Sequence, residues 1–78
     1  MKCTTLDLSA LKCPLPVLHT RKALRKMAAG EVLIVIATDP MSAIDIPNLI
    51  RETGDQLKST AKDGERLSFQ IQKAPPSP

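Results

Sequence analysis

The chain has 78 residues, of which 42% are hydrophobic but only one, Phe69, is aromatic, and its net charge is +3. A chain this short is expected to form one domain, burying about 60% of the surface it exposes when unfolded. Its core must be built from Leu, Ile, Val and Met. No run approaches the ~20 apolar residues of a membrane-spanning helix. Met1-Lys2-Cys3-Thr4-Thr5 lacks the apolar stretch of a secretory signal, so a reducing cytoplasm is the expected location.

Thr4 to Leu8 alternates and carries β-branched residues, which predicts a short strand followed by a loop over Ser9 to Lys12. Residues 14 to 29 predict a first helix closed by Gly30 as a left-handed cap. At 100° per residue, Val17, Thr20, Leu24, Met27 and Ala28 share its inward face, with Ala23 at the margin. His19, Lys22, Arg25 and Lys26 fall opposite. The apolar run Val32-Leu33-Ile34-Val35-Ile36-Ala37 predicts a central strand. Thr38-Asp39-Pro40 then reads as a helix start, with Asp39 as N-cap and Pro40 at the first position. Pro47 is expected to kink or shorten this second helix near Asp45, and Gly54 to end it. Asp55 to Lys62 reads as a polar edge strand and Asp63-Gly64 as a hairpin turn. Leu67, Phe69 and Ile71 alternate with polar residues in a last, one-sided strand. The tail Ala74-Pro75-Pro76-Ser77-Pro78 is expected to be disordered, leaving 1–73 as the domain.

The order is βαβαββ. Right-handed crossovers put both helices on one face of the sheet. The polar third strand belongs at an edge, and the last strand fills the gap beside the second. The predicted fold is therefore an α+β two-layer sandwich. Its four-stranded mixed sheet has order 1-2-4-3 with the last strand antiparallel. The other face lacks helices and is a candidate self-association surface, consistent with a monomer or weak dimer.

Chemistry concentrates at Lys12-Cys13-Pro14-Leu15-Pro16. A residue before proline is pushed toward extended geometry, which suits Cys13 to an N-cap with Pro14 at the first helical position. Pro16 disfavours helical geometry at Leu15, so the alternative is a helix beginning at Pro16 with Cys13 further out on the loop. In both cases the sulfur sits on the positive end of a helix beside Lys12, which favours thiolate over thiol. The two prolines hold the loop rigid. Lys12, Arg21, Lys22, Arg25 and Lys26 put five bases and no acid between residues 12 and 30, whereas the rest of the chain is net −2. Leu15 and Leu18 fall on the polar side of the helix near Cys13, as part of a docking patch. His19 lies nearly two turns away and does not suit a general base. Cys3 and Cys13 flank the first strand, about 17 Å apart at ~3.3 Å per residue, which is too far for a disulfide. With no other thiol and one histidine, no metal site is expected.

These residues carry a resemblance. Leu6-Asp7, Leu11-Lys12-Cys13-Pro14-Leu15-Pro16-Val17-Leu18, Thr20-Arg21-Lys22-Ala23-Leu24, Asp39-Pro40, Asp45-Ile46-Pro47 and Phe69, Ile71, Lys73 together resemble the CPxP pattern of the TusA/SirA family of small sulfur-carrier proteins. The likeness covers about residues 5 to 73. It departs at Ala10, where the family usually has glycine, and at Asp55, where it usually has histidine. The resemblance implies a persulfide on Cys13 passed between proteins.

Parallel first and second strands place Cys13 and Asp39-Pro40-Met41 at one sheet edge, where open α/β sheets bind ligands. The expected site is Cys13 as the catalytic thiol, shaped by Lys12, Pro14, Leu15, Pro16, Asp39 and Pro40. Leu18, Arg21, Lys22, Arg25 and Lys26 are expected to meet partners. No phosphate loop or paired catalytic carboxylates appear, and no cofactor is expected. A lone thiol without a pocket suits sulfur relay, in which the partner completes the site. The donor would be a cysteine desulfurase or another persulfide protein. The acceptor would be a downstream protein, with tRNA thiolation one destination. The competing reading is an RNA- or protein-binding module that uses the basic helix without chemistry, although no aromatic is present there for base stacking. A redox dithiol is weaker still, because the two cysteines lie too far apart.

Overall fold

The computed structural model describes residues 3–12 and 15–75. Cys13 and Pro14, the core of the predicted site, lie outside the described residues, as does the tail from residue 76. The elements run β1 (Cys3–Leu8), α1 (Leu15–Arg25), β2 (Val32–Ala37), α2 (Ser42–Thr53), β3 (Gln56–Asp63) and β4 (Arg66–Gln72). The sheet order is β1-β2-β4-β3, with β1 parallel to β2 and β4 antiparallel to both of its neighbours. Fold class and strand order agree with the sequence expectation.

The apolar run of β2 splits between two faces, as a period of two requires. Leu33, Val35 and Ala37 are fully buried and, with Leu8, Leu67, Phe69 and Ile71, pack under Leu24 of α1 and Ile46 and Ile50 of α2. Val32, Ile34 and Ile36 are half-buried on the helix-free face. Both helices therefore lie on one layer, with Arg21 of α1 reaching Glu52 of α2 at 3.5 Å.

Several boundaries differ from expectation. The first helix ends at Arg25 rather than at residue 29. Its last turn tightens through i→i+3 bonds from Lys26 N–H to Ala23 and from Met27 N–H to Leu24. The Ala28 N–H is instead taken by the Glu31 carboxylate at 3.0 Å, and Ala28 is exposed rather than inward-facing. Gly30 does have positive φ (88°), but it serves the entry into β2, donating to Lys73 C=O at 2.9 Å, and does not cap the helix. The second helix begins at Ser42, not Pro40. Asp39 Oδ1 accepts the Met41 N–H at 3.0 Å, and i→i+3 bonds from Ser42 and Ala43 to Asp39 and Pro40 form a tight turn ahead of it.

Pro47 neither ends nor shortens α2, which runs through it to Thr53. Its missing donor would have met the carbonyl of Ala43, an exposed residue whose oxygen water can serve. Gly54 caps α2 as predicted, with φ 81° and its N–H on Ile50 C=O. The third strand starts at Gln56, one residue late, because Asp55 is buried and used elsewhere. β3 is an exposed edge strand with an irregularity between Leu57 and Ser59, a feature that blunts edge pairing. The hairpin turn is Gly64-Glu65, with Asp63 still paired to Arg66. Of the two turn residues, Gly64 takes the positive φ (63°).

Candidate functional site

Parallel pairing of β1 with β2 brings the two following loops to the same edge. The first loop is shaped by a local turn, in which Asp7 Oδ1 accepts the Ser9 hydroxyl at 2.6 Å and the Ser9 N–H at 3.0 Å. These bonds, together with the charge of Arg66, lower the Asp7 pKa. Leu11 N–H returns to Leu8 C=O at 3.2 Å. Ala10 then takes the left-handed conformation (φ 71°) and donates its N–H to Thr38 Oγ1 at 2.8 Å. That bond ties the loop preceding Cys13 to the end of β2.

Lys12 C=O accepts the Leu15 N–H at 2.8 Å, and α1 opens at Leu15. The start thus falls between the two alternatives the prolines left open. Pro16, expected from sequence to start the helix and shape the loop, is also almost completely buried. The first turn of α1 carries no acid. With the Leu15 N–H on Lys12 and no N–H on Pro16, the Val17 and Leu18 N–H groups are the remaining donors of that turn, and they lie at the positive end of the dipole. A cleft of about 300 Å³ between the loops is lined by Ala10, Leu11, Lys12, Thr38, Asp39 and Pro40. A second, of about 280 Å³, continues past Thr38 and Pro40 to Lys62, Gly64, Glu65 and Leu67.

Of the predicted site residues, Lys12, Leu15, Asp39 and Pro40 gather at this edge, with Leu15 exposed and Leu18 one turn further along. Arg21 turns to Glu52 on α2. Lys22 and Arg25 stand in the last turn of α1, roughly 10–15 Å along the axis from Leu15. His19 is exposed on the helix surface.

Three features escaped sequence reasoning. Thr38 anchors the first loop, a role that no local pattern signals. Ile44, given no role from the sequence, stands exposed three residues after the exposed Met41. At the opposite pole, Asp55 is buried, with its side chain 1% exposed; its Oδ1 accepts the Ala74 N–H at 2.9 Å and lies 3.7 Å from Lys73 Nζ. The start of the predicted tail is therefore held. Asp55 Oδ2 has no hydrogen-bond partner.

Among the described residues, no helix is long and apolar enough to cross a membrane. The family model described as "Sulfurtransferase TusA" matches residues 4–73. The chain is 44% identical over 69 residues to the sulfur carrier protein TusA of Allochromatium vinosum, covering 88% of this chain and 91% of that protein. The crystal structure of a SirA-like protein from Desulfitobacterium hafniense superposes with a TM-score of 0.80 at 26% identity, over 91% of this chain and 97% of that one.

Proposed function

Because the chain belongs to the TusA sulfurtransferase family, we propose that Cys13 is its persulfide-bearing residue, relaying sulfur in the cytoplasm from a donor such as a cysteine desulfurase to an acceptor protein. The Cys13 thiolate attacks the outer sulfur of the donor's persulfide. A new S–S bond forms to Cys13 as the donor's S–S bond breaks, and the electron pair leaves on the donor thiolate. An acceptor thiolate then repeats the displacement on the outer sulfur of Cys13 and releases the Cys13 thiolate. Each step exchanges one thiolate for another and needs no added oxidant or reductant.

The observation that carries this reading is the acid-free start of α1 at Leu15, two residues after Cys13 in the sequence. Helix N-terminal N–H groups favour an anionic sulfur both as nucleophile and as leaving group. Lys12 adds positive charge on the other side. No enclosed pocket is required, since the partner supplies the second half of the site. Intact-mass spectrometry after incubation with a cysteine desulfurase and cysteine tests it. The wild type gains the mass of one sulfur atom, and Cys13→Ser does not.

A further inference from the structure

We infer that the start of α2, through Met41 and Ile44, is the second half of the partner-docking surface, and that it takes an apolar, acid-flanked surface on a protein that gives or receives sulfur. This inference rests on the relay reading above. Single exposed apolar side chains are ordinary on any protein. Here the exposed large ones among the described residues are Leu15 (42%), Leu18 (53%), Met41 (47%) and Ile44 (57%). All four lie at the starts of the two helices that open at one sheet edge. None lies on the helix-free face or at the opposite pole. Clustering of this kind marks an interaction surface.

The two pairs have the same construction. Leu15 and Leu18, like Met41 and Ile44, are three residues apart, so each pair stacks along one side of a helical turn. The α2 pair is fixed from behind. Asp39 Oδ1 holds the Met41 N–H at 3.0 Å, and Met41 C=O accepts the N–H groups of Ile44 at 3.0 Å and Asp45 at 2.8 Å. The Ala10–Thr38 bond links the loop leading to α1 with the loop leading to α2. The platform is therefore held before binding, which lowers the ordering cost of docking.

Charge on the α1 half decides the occupant, since the α2 half carries its own acids, Asp39 and Asp45. Lys12, Lys22, Arg25 and Lys26 are exposed on and beside α1. A second copy packed on this face would bring its own bases against them, and like charges facing each other oppose association. An acidic partner is attracted to the same surface. Four apolar side chains make a small contact, in keeping with the brief encounters of a carrier that must release one partner to reach the next.

The test is the double variant Met41→Ser/Ile44→Ser, with Ile44→Asp as a second variant at the more exposed of the two positions. Both are compared with wild type for transfer from a cysteine-charged desulfurase to Cys13, for Cys13 alkylation by iodoacetamide, and for thermal melting. Transfer is expected to slow about tenfold, the weight of a well-packed interface side chain, with alkylation unchanged and a deficit that persists as salt rises. Unchanged transfer overturns the docking role while leaving the relay intact. A parallel loss of alkylation also overturns it, since Cys13 itself has then been disturbed. A wild type that takes no sulfur defeats the relay reading, and this inference with it.

Discussion

Ala10 gives its N–H to Thr38 Oγ1 at 2.8 Å while holding φ at 71°. The bond that fixes the loop before Cys13 is thus made by a residue in a conformation that costs an ordinary L-residue about 1–2 kcal/mol. Glycine, the residue usual in the family at this place, adopts it freely. Ala10→Gly relieves that strain but adds freedom to the unfolded chain worth roughly 0.4–1 kcal/mol. The net expectation is a gain of up to about 1 kcal/mol, or several degrees in Tm for a domain of this size. Thr38→Val removes the acceptor and is expected to cost about 0.5–1.5 kcal/mol. It should slow sulfur transfer more than Ala10→Gly does. Thermal melts and transfer rates of the two variants check this. A lower Tm for Ala10→Gly contradicts the strain account.

Asp7 gives a pH-dependent prediction. Its carboxylate is held below the usual range first by the Ser9 hydroxyl and then by the Ser9 N–H, with Arg66 adding attraction. A group whose folded pKa lies below its unfolded one contributes stability that is fully present above the unfolded value. That contribution is lost as pH falls through the folded value. Asp7→Asn should therefore be less stable than wild type at neutral pH, with the two Tm curves converging in acid. A constant offset across the acid range would show that the turn does not depend on the charge.

Asp55 is expected to matter for stability and not for transfer. Its buried Oδ1 holds the Ala74 N–H and faces Lys73 at the pole away from the two clefts at the site edge. Asp55→Ala leaves the half-buried Ala74 N–H without its acceptor, at a cost of about 1 kcal/mol or somewhat more. Lys73→Met, which strands the buried carboxylate, should also destabilise. Denaturant melts check the loss. A defect in Cys13 alkylation in either variant, with the fold intact, would show that the two poles communicate.

The basic face is expected to act at a distance on the relay reading. Lys22 and Arg25 stand in the last turn of α1, roughly 10–15 Å along the axis from Leu15, which suits steering of a partner rather than direct contact at the reacting group. Lys22→Glu/Arg25→Glu is expected to slow transfer at low salt, with the deficit shrinking as the Debye length falls through ~8–10 Å. Cys13 alkylation should change little. A salt-independent deficit would mean that these side chains make direct contacts.

Element order was legible because each element carries its own local mark: the apolar run of Val32 to Ala37, Gly54 at a helix end, and the alternation of Leu67, Phe69 and Ile71. Even the 1-2-4-3 order followed from the polarity of residues 55 to 62. What stayed hidden depends on distant partners. Lys26 to Ala29 are acceptable helix residues, and α1 stops short of them where the Glu31 carboxylate takes the Ala28 N–H and Gly30 bonds to Lys73. Pro16 reads in sequence as a residue that shapes the loop, and its ring is in addition buried. Pro16→Ala should therefore cost about 1–2 kcal/mol through two lost methylenes, beyond any effect on the loop. Met41 and Ile44 carry no local mark that separates an exposed apolar residue from a buried one. Their exposure follows from the phase of α2, which turns Ser42, Ile46, Leu49 and Ile50 inward.

The central claim is tested most directly by counting sulfur atoms on the protein. After incubation with a cysteine desulfurase and cysteine, intact-mass spectrometry should find wild type and Cys3→Ser each heavier by one sulfur atom, an adduct removed by a thiol reductant. Cys13→Ser should stay at its calculated mass. A sulfur adduct that persists in Cys13→Ser and disappears in Cys3→Ser would contradict the account.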